Sequence, residues 1–198
     1  MHVSQPLTPL VNLAQRHNID LDAHILQQLL TPKKRIKTNR DFNKLVYSAE
    51  VHSPPGAGKG LFALRDLPAF TLVGIYTGGD NLTLSQVANP LHVSDYVVSH
   101  QHLVRDALDP KTKRILCDVA YINDSLDPSL HNCEWYIHPS HPNLLLVITT
   151  THIPNDAQLY IPYGPDYWCQ DKFPLEVLLA AIKGYSIDIH SHPQFFFF

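Results

Sequence analysis

Long apolar runs are absent from this 198-residue chain. None approaches the roughly 20 residues needed to cross a bilayer, so no membrane partner is expected. The amino terminus carries Gln, Pro and Thr where a secretory leader would place its apolar centre, which makes a soluble intracellular protein the expectation. Cysteine is scarce too: Cys117, Cys133 and Cys169 stand far apart with no Cys-x-x-Cys spacing. That excludes a disulfide framework or a cysteine zinc cluster and suits a reducing compartment. Charge is sparse and nearly balanced, with 17% charged residues and a net charge of -3, which excludes a disordered acidic tail and a broadly basic nucleic-acid binder. No His-Asp-Ser arrangement, His-Glu-x-x-His segment or paired-carboxylate constellation stands out.

An apolar fraction of 44% over 198 residues is enough to bury the core of one domain, or of one domain with an appended helical arm, without covalent staples. Thirteen histidines invite a metal reading. One close pair, His138 and His141, brackets Pro139, which disfavours both facing one site from a regular helix. Solvated loop histidines and no metal site are therefore expected.

Three parts can be told apart. Residues 1–40 read as a helical arm and basic linker. Thr8 is an N-cap before Pro9 at the first helical position, with Leu10, Leu13 and Ala14 on one face. A second helix is predicted over 20–30, with Asp22 on its polar edge and Ile25, Leu26, Leu29 and Leu30 in its apolar stripe, stopped by Thr31 and Pro32. Such an arm needs a surface to pack on. Lys33, Lys34, Arg35 and Lys37 then form a compact basic run, read as a nuclear import address, a phosphate contact or a solvated linker. It tilts a choice between nucleus and cytoplasm toward the nucleus, and direct nucleic-acid binding has little else in its favour.

Residues 41–170 change texture to short runs rich in Val, Ile, Leu, Tyr and Thr, at 44–51, 71–76, 96–98, 134–137 and 144–150, separated by turn residues. This predicts a mainly β domain of short antiparallel strands, and the lack of long strand and helix alternation disfavours a doubly wound parallel sheet. Residues 171–198 open with a helix predicted over 174–183. Leu175, Leu178, Leu179 and Ile182 form a docking stripe, with Gly184 after the last turn. The four phenylalanines at 195–198 either dock into a groove or form an exposed patch.

The densest signal is Pro55-Gly56-Ala57-Gly58-Lys59-Gly60-Leu61-Phe62-Ala63. A phosphate-binding P-loop fails twice, because Ser53 stands at the first Gly position and Gly60 follows Lys59 where a hydroxyl is required. A dinucleotide fingerprint fits Gly58, Gly60 and Ala63 loosely, yet Pro68 cuts off the helix that must follow. The remaining reading is strand, glycine turn and strand, then a second strand ending Ile75-Tyr76-Thr77-Gly78-Gly79. Two further blocks follow: Tyr121-Ile122-Asn123-Asp124-Ser125 with Asn132-Cys133 after a short insertion, and Ile153 to Trp168 with its Ile161-Pro162-Tyr163-Gly164 centre.

In content and order these three blocks resemble the SET-domain protein lysine methyltransferases, over about residues 44–168. Ser94-Asp95-Tyr96 and Val104-Arg105-Asp106-Ala107 add weaker matches. The resemblance implies a β-clip fold of several short antiparallel sheets with a knot-like C-terminal segment. It implies S-adenosylmethionine as cofactor, held by Ala57, Gly58, Lys59, Gly60, Leu61, Tyr96, Asn123 and Asp124. It assigns Tyr163 as the catalytic tyrosine and Tyr76 and Ile161 to the substrate channel, with a lysine-bearing protein such as a histone tail as substrate.

The chain departs from the family pattern in several places. Ile75, Gly79 and the pair Ala157-Gln158 replace acids, Pro162 replaces Asp, and Asp124 replaces His. Residues 108–120 are a long insertion, and no Cys-x-Cys-x4-Cys follows Trp168, so the helix at 174–183 is expected to complete the channel. The lost acids keep an alternative open: a SET-fold protein without catalysis that acts as a protein-interaction module.

Overall fold

The computed structural model describes residues 9–30, 44–51, 58–78, 82–83, 86, 94–168 and 175–186. Thr8, the basic run at 33–37, Cys169 and the four terminal phenylalanines lie outside the described residues. Among those described, the strands form three small antiparallel sheets. β1 (Val46–Glu50) pairs with β2 (Lys59–Ala63). β3 (Leu72–Tyr76) and β6 (Cys133–Ile137) flank the central β7 (Leu145–Thr149). β4 (Val97–His100) and β5 (Leu103–Asp106) make a hairpin. Helices flank these sheets, as the sequence predicts.

All five residues of β7 are buried, and their alternation divides the molecule. Leu145 and Val147 point into the main core with Leu61, Val73, Trp135 and Ile161. Leu146 and Ile148 point the other way, into a second core with Leu10, Ile25 and Leu29. A strand buried on both faces reads as a continuous apolar run, because side chains alternate across the pleat. On β3 the register shifts between Leu72 and Gly74, and Leu72 and Ile75 consequently share the second core despite their odd spacing.

The arm closes that second core. Helix α1 (Pro9–Arg16) buries Leu10 and Ala14, and α2 (Leu21–Leu30) buries Leu21, Ile25 and Leu29 at i, i+4 and i+8. Asp20 caps α2 by accepting from the Ala23 amide at 3.1 Å. Buried Glu134 accepts from the Leu10 amide at 2.7 Å, satisfying one of the unpaired donors at the start of α1. Gln28 clamps the edge of β3, donating to the Phe70 carbonyl at 2.6 Å and accepting from the Leu72 amide at 2.8 Å. His138 corrects the expectation of solvated histidines: it is buried, its Nδ1 accepts from the Ser140 amide, and Nε2 faces the Asp22 carbonyl at 2.9 Å. With Nδ1 accepting, Nε2 carries the proton and donates.

Ile25→Val removes one methylene from this seam. It is expected to lower stability by about 0.5–1.5 kcal/mol, read as a lower urea midpoint at constant slope. An unchanged midpoint would show that the arm lies outside the cooperative unit.

The last segment threads between earlier ones. Phe62 bridges Gln158 in antiparallel fashion, and Asn123 bridges Tyr160 in parallel. The Leu159 amide donates to Leu61 at 2.8 Å and the Ile161 amide to Asn123 at 2.9 Å. Asn132 staples the segment from the side: its side chain accepts from the Tyr160 amide and donates to the Gln158 carbonyl. This is the knot-like arrangement expected, with residues distant in sequence laid side by side.

After the short helix α3 (Pro165–Trp168), α4 (Leu175–Tyr185) buries Val177, Leu178 and Ala181, two of which pack with Trp168. The sequence predicts an end before Gly184, but the helix runs through it. A Cβ at Gly184 would lie 2.1 Å from the Leu126 carbonyl oxygen, so the glycine serves close approach to a neighbouring loop rather than helix termination.

Candidate functional site

The three sequence blocks meet at one place. Gly58 sits at φ +65, in the left-handed region that glycine adopts without a steric penalty. Its carbonyl accepts from the Val51 amide at 2.8 Å, closing the β1–β2 hairpin. Among the described residues nothing lies within 4 Å of the position a Gly58 Cβ would take. Gly60, two residues on, is crowded: a Cβ there would come within 2.6 Å of Gln158 Nε2 and 2.8 Å of Val51. Ala57 lies outside the described residues.

Asn123 joins the turn to the C-terminal segment. Its amide donates to the Lys59 carbonyl at 3.0 Å, and its own carbonyl receives the Ile161 amide at 2.9 Å. Tyr163, two residues further on, donates its hydroxyl to the Ile122 carbonyl at 2.6 Å. The tyrosine hydroxyl, Asn123 and the glycine turn therefore form one contiguous hydrogen-bonded unit. Leu61 is fully buried and its carbonyl is taken by Leu159, leaving its side chain in the core.

Aromatic rings build the walls. Tyr163 stacks on Trp168 with centroids 5.8 Å apart, and Tyr167 meets Tyr163 edge-on at 4.7 Å. Tyr76 donates to the Tyr96 carbonyl at 2.6 Å and packs edge-on against Trp135. Tyr96 meets Tyr121 edge-on, and the Lys59 ammonium lies 5.5 Å from the Tyr121 ring centre. Ile161, assigned by resemblance to the channel, is fully buried in the main core.

Burial raises the phenol pKa values throughout this cluster. Tyr163 is held well above the ordinary value by burial first, then by Tyr167, Asp124, Tyr96 and Tyr185. Tyr76 is raised in the same way, by burial and then by Cys117 and Tyr163. Burial, with Asp95 and Asp124, pushes Tyr167 up to about 12. These hydroxyls are neutral near pH 7, so they donate and accept hydrogen bonds rather than act as strong bases.

Asp124 has an unforeseen role. One carboxylate oxygen accepts from the Leu126 amide at 2.8 Å and meets His131 Nε2 at 2.9 Å. The other accepts from the Tyr163 amide and the Trp168 indole, each at 2.9 Å, and from the Tyr185 hydroxyl. Burial opposes ionisation, but the bonds from His131, Tyr185, Tyr163 and Trp168 outweigh it and hold the pKa below the usual carboxylate value. The side chain assigned by resemblance to the cofactor is thus occupied by the chain's own donors. His131 and Tyr185 carry no motif that would have identified them.

The turn fits a ligand read through its main chain. At the left-handed glycine no described residue covers the Cβ position, Lys59 supplies a cation beside it, and Tyr96 and Tyr121 supply flat apolar surfaces. Gln158 Nε2, against Gly60, is a buried donor with no hydrogen-bond partner among the described residues. Among the described residues no group of His, Cys, Asp and Glu is disposed to hold a metal ion, and no helix is long and apolar enough to cross a membrane. The family model described as SET domain matches residues 58–164, more than half of the chain; the match takes in the second block whole and most of the first and third. No curated protein matches the sequence.

Proposed function

Because the chain belongs to the SET-domain family, we propose that it transfers a methyl group from S-adenosylmethionine to the side-chain amine of a lysine in a protein substrate. One observation carries this reading: the Tyr163 hydroxyl bonds the Ile122 carbonyl at 2.6 Å, next to the Asn123 amide that bonds the glycine turn at 3.0 Å. In this reading Gly58, Lys59, Gly60, Tyr96 and Asn123 hold the cofactor, with Ala57, Leu61 and the backbone of Asp124 beside them. When bound, S-adenosylmethionine supplies a sulfonium-borne methyl group. A histone tail and a nuclear setting are the form of the proposal that the basic run at 33–37 favours.

The chain's own residues have three tasks. The first is to present the lysine nitrogen uncharged. With an ordinary pKa of ~10.4, a lysine amine costs about 4.6 kcal/mol to deprotonate at pH 7, and desolvation among Tyr76, Tyr163 and Tyr167 reduces that cost. The second is alignment, since an in-line displacement needs nitrogen and methyl carbon held in a near-attack arrangement. With its proton given to the Ile122 carbonyl, the Tyr163 hydroxyl presents oxygen lone pairs at this wall, which accept from the neutral amine and orient it. The third is exclusion of water, which buried aromatic rings achieve.

A second reading, a SET-fold interaction module without catalysis, is favoured by the commitment of both Asp124 oxygens to protein donors. Thermal unfolding separates the two. A ligand at 100 times its Kd adds about 2.7 kcal/mol of stability, so saturating S-adenosylmethionine is expected to raise Tm by several degrees. No shift at millimolar cofactor, confirmed by flat calorimetric titration, would remove the transferase reading.

A further inference from the structure

We propose that Tyr185, at the end of α4, is a positioning residue for Tyr163, so that the C-terminal helix sets the geometry of the reacting site; this rests on the reading of Tyr163 given above. The Tyr185 hydroxyl is the meeting point of three groups. It accepts from the Tyr163 amide at 3.1 Å and from the Gly164 amide at 3.4 Å, and it donates to the Asp124 carboxylate. A single oxygen on α4 thereby ties the two peptide units flanking the Tyr163 side chain to a buried anion.

The anchorage of this hydroxyl is rigid at its other end. Gly184 lies so close to the Leu126 carbonyl that a Cβ would approach it to 2.1 Å, which leaves α4 no room to slide toward that loop. Leu126 is itself fixed by the hydrogen bond that its amide donates to the Asp124 carboxylate at 2.8 Å. Tyr163 is constrained from its other side by Trp168, whose ring stacks on it while its indole donates to the same carboxylate oxygen. Gly164, at φ +87, has no described residue within 4 Å of the position a Cβ would take. Its left-handed turn is tied to α4 by the hydrogen bond from its amide to Tyr185.

Removing the Tyr185 hydroxyl leaves the Tyr163 amide bonded to Asp124 at 2.9 Å, so the fold survives while the turn at Gly164 loosens. A misplacement of the order of 1 Å in a catalytic group is enough to cost up to 100-fold in rate. Tyr185→Phe keeps the ring and its packing in the cluster with Tyr163, Tyr167 and Trp168, so substrate binding is left in place.

The test is Tyr185→Phe in the full chain, read in two ways. Amide hydrogen exchange at Tyr163 and Gly164 is expected to accelerate by about tenfold, with the β6 and β7 amides unchanged as the control for folding. Methyl transfer to a lysine peptide is expected to lose about tenfold in kcat, with KM for the peptide and Kd for S-adenosylmethionine within about twofold of the parent. Unchanged exchange at both amides, or a loss carried by KM or Kd with kcat intact, overturns the proposal. A parent chain that binds no cofactor and methylates nothing defeats the transferase reading. Exchange then decides by itself whether Tyr185 anchors the segment.

Discussion

Tyr163→Phe is expected to reduce methyl transfer by roughly 100-fold or more, the scale for removal of a positioned catalytic group, while Tm and affinity for S-adenosylmethionine change little. The substitution leaves the ring, and with it the stacking on Trp168 and the edge contact with Tyr167. What is lost is one neutral hydroxyl and its bond to the Ile122 carbonyl, worth about 1 kcal/mol in net stability. The rate effect is expected to exceed the stability effect because, in the proposed reaction, this hydroxyl orients the lysine nitrogen. Single-turnover measurement with labelled cofactor distinguishes this from slow product release. An unchanged rate with purified protein would take Tyr163 out of the mechanism and leave the family membership without a transfer step at this residue.

Legibility in the sequence followed the range over which residues act. The strands were readable because β-branched and aromatic runs between turn residues are local signals: β1, β3 and β7 fall within the predicted windows, and β6 begins one residue ahead of its own. The glycine turn, Asn123 and Tyr163 stand out because each belongs to a contiguous block, and the fold then joins those blocks by hydrogen bonds. β5 was less distinct, since Leu103 to Asp106 alternates weakly and pairs only with the short β4. The Asp124 centre left no such trace. Its partners lie at His131, Tyr163, Trp168 and Tyr185, and only the fold brings those separations together. The end of α4 was misread for the same reason, because a glycine required by a distant carbonyl looks in sequence like a glycine that stops a helix. His138 is a third case: nothing near it in the chain signals that α2 covers it.

Gly78→Ala is expected to destabilise the protein by about 3 kcal/mol or more, at or beyond the upper end of ordinary overpacking. The reason is contact and not backbone conformation. A Cβ at Gly78 would stand 2.0 Å from the Asp106 carbonyl oxygen, 2.5 Å from its carbonyl carbon and 2.9 Å from its amide nitrogen, and a peptide group cannot rotate aside as a side-chain tip can. Nor is Asp106 free to retreat. It is the last residue of β5, its backbone pairs with Val97, and its buried carboxylate accepts from the Ser94 hydroxyl at 2.7 Å and the Leu108 amide at 2.8 Å. The displacement must therefore pass back along β3, where Tyr76 donates to the Tyr96 carbonyl at 2.6 Å. Turnover should fall by more than the loss of folded protein accounts for, because that bond joins two walls of the site. Gly58→Ala supplies the comparison. It carries a left-handed backbone with no described residue near its Cβ position, so it is expected to cost only the conformational penalty of about 1–2 kcal/mol. Urea unfolding of the two variants ranks contact against conformation directly. If Gly58→Ala proves the more damaging, β3 and β5 do not approach as closely as the structure places them, and the wall between Tyr76 and Tyr96 is not rigid.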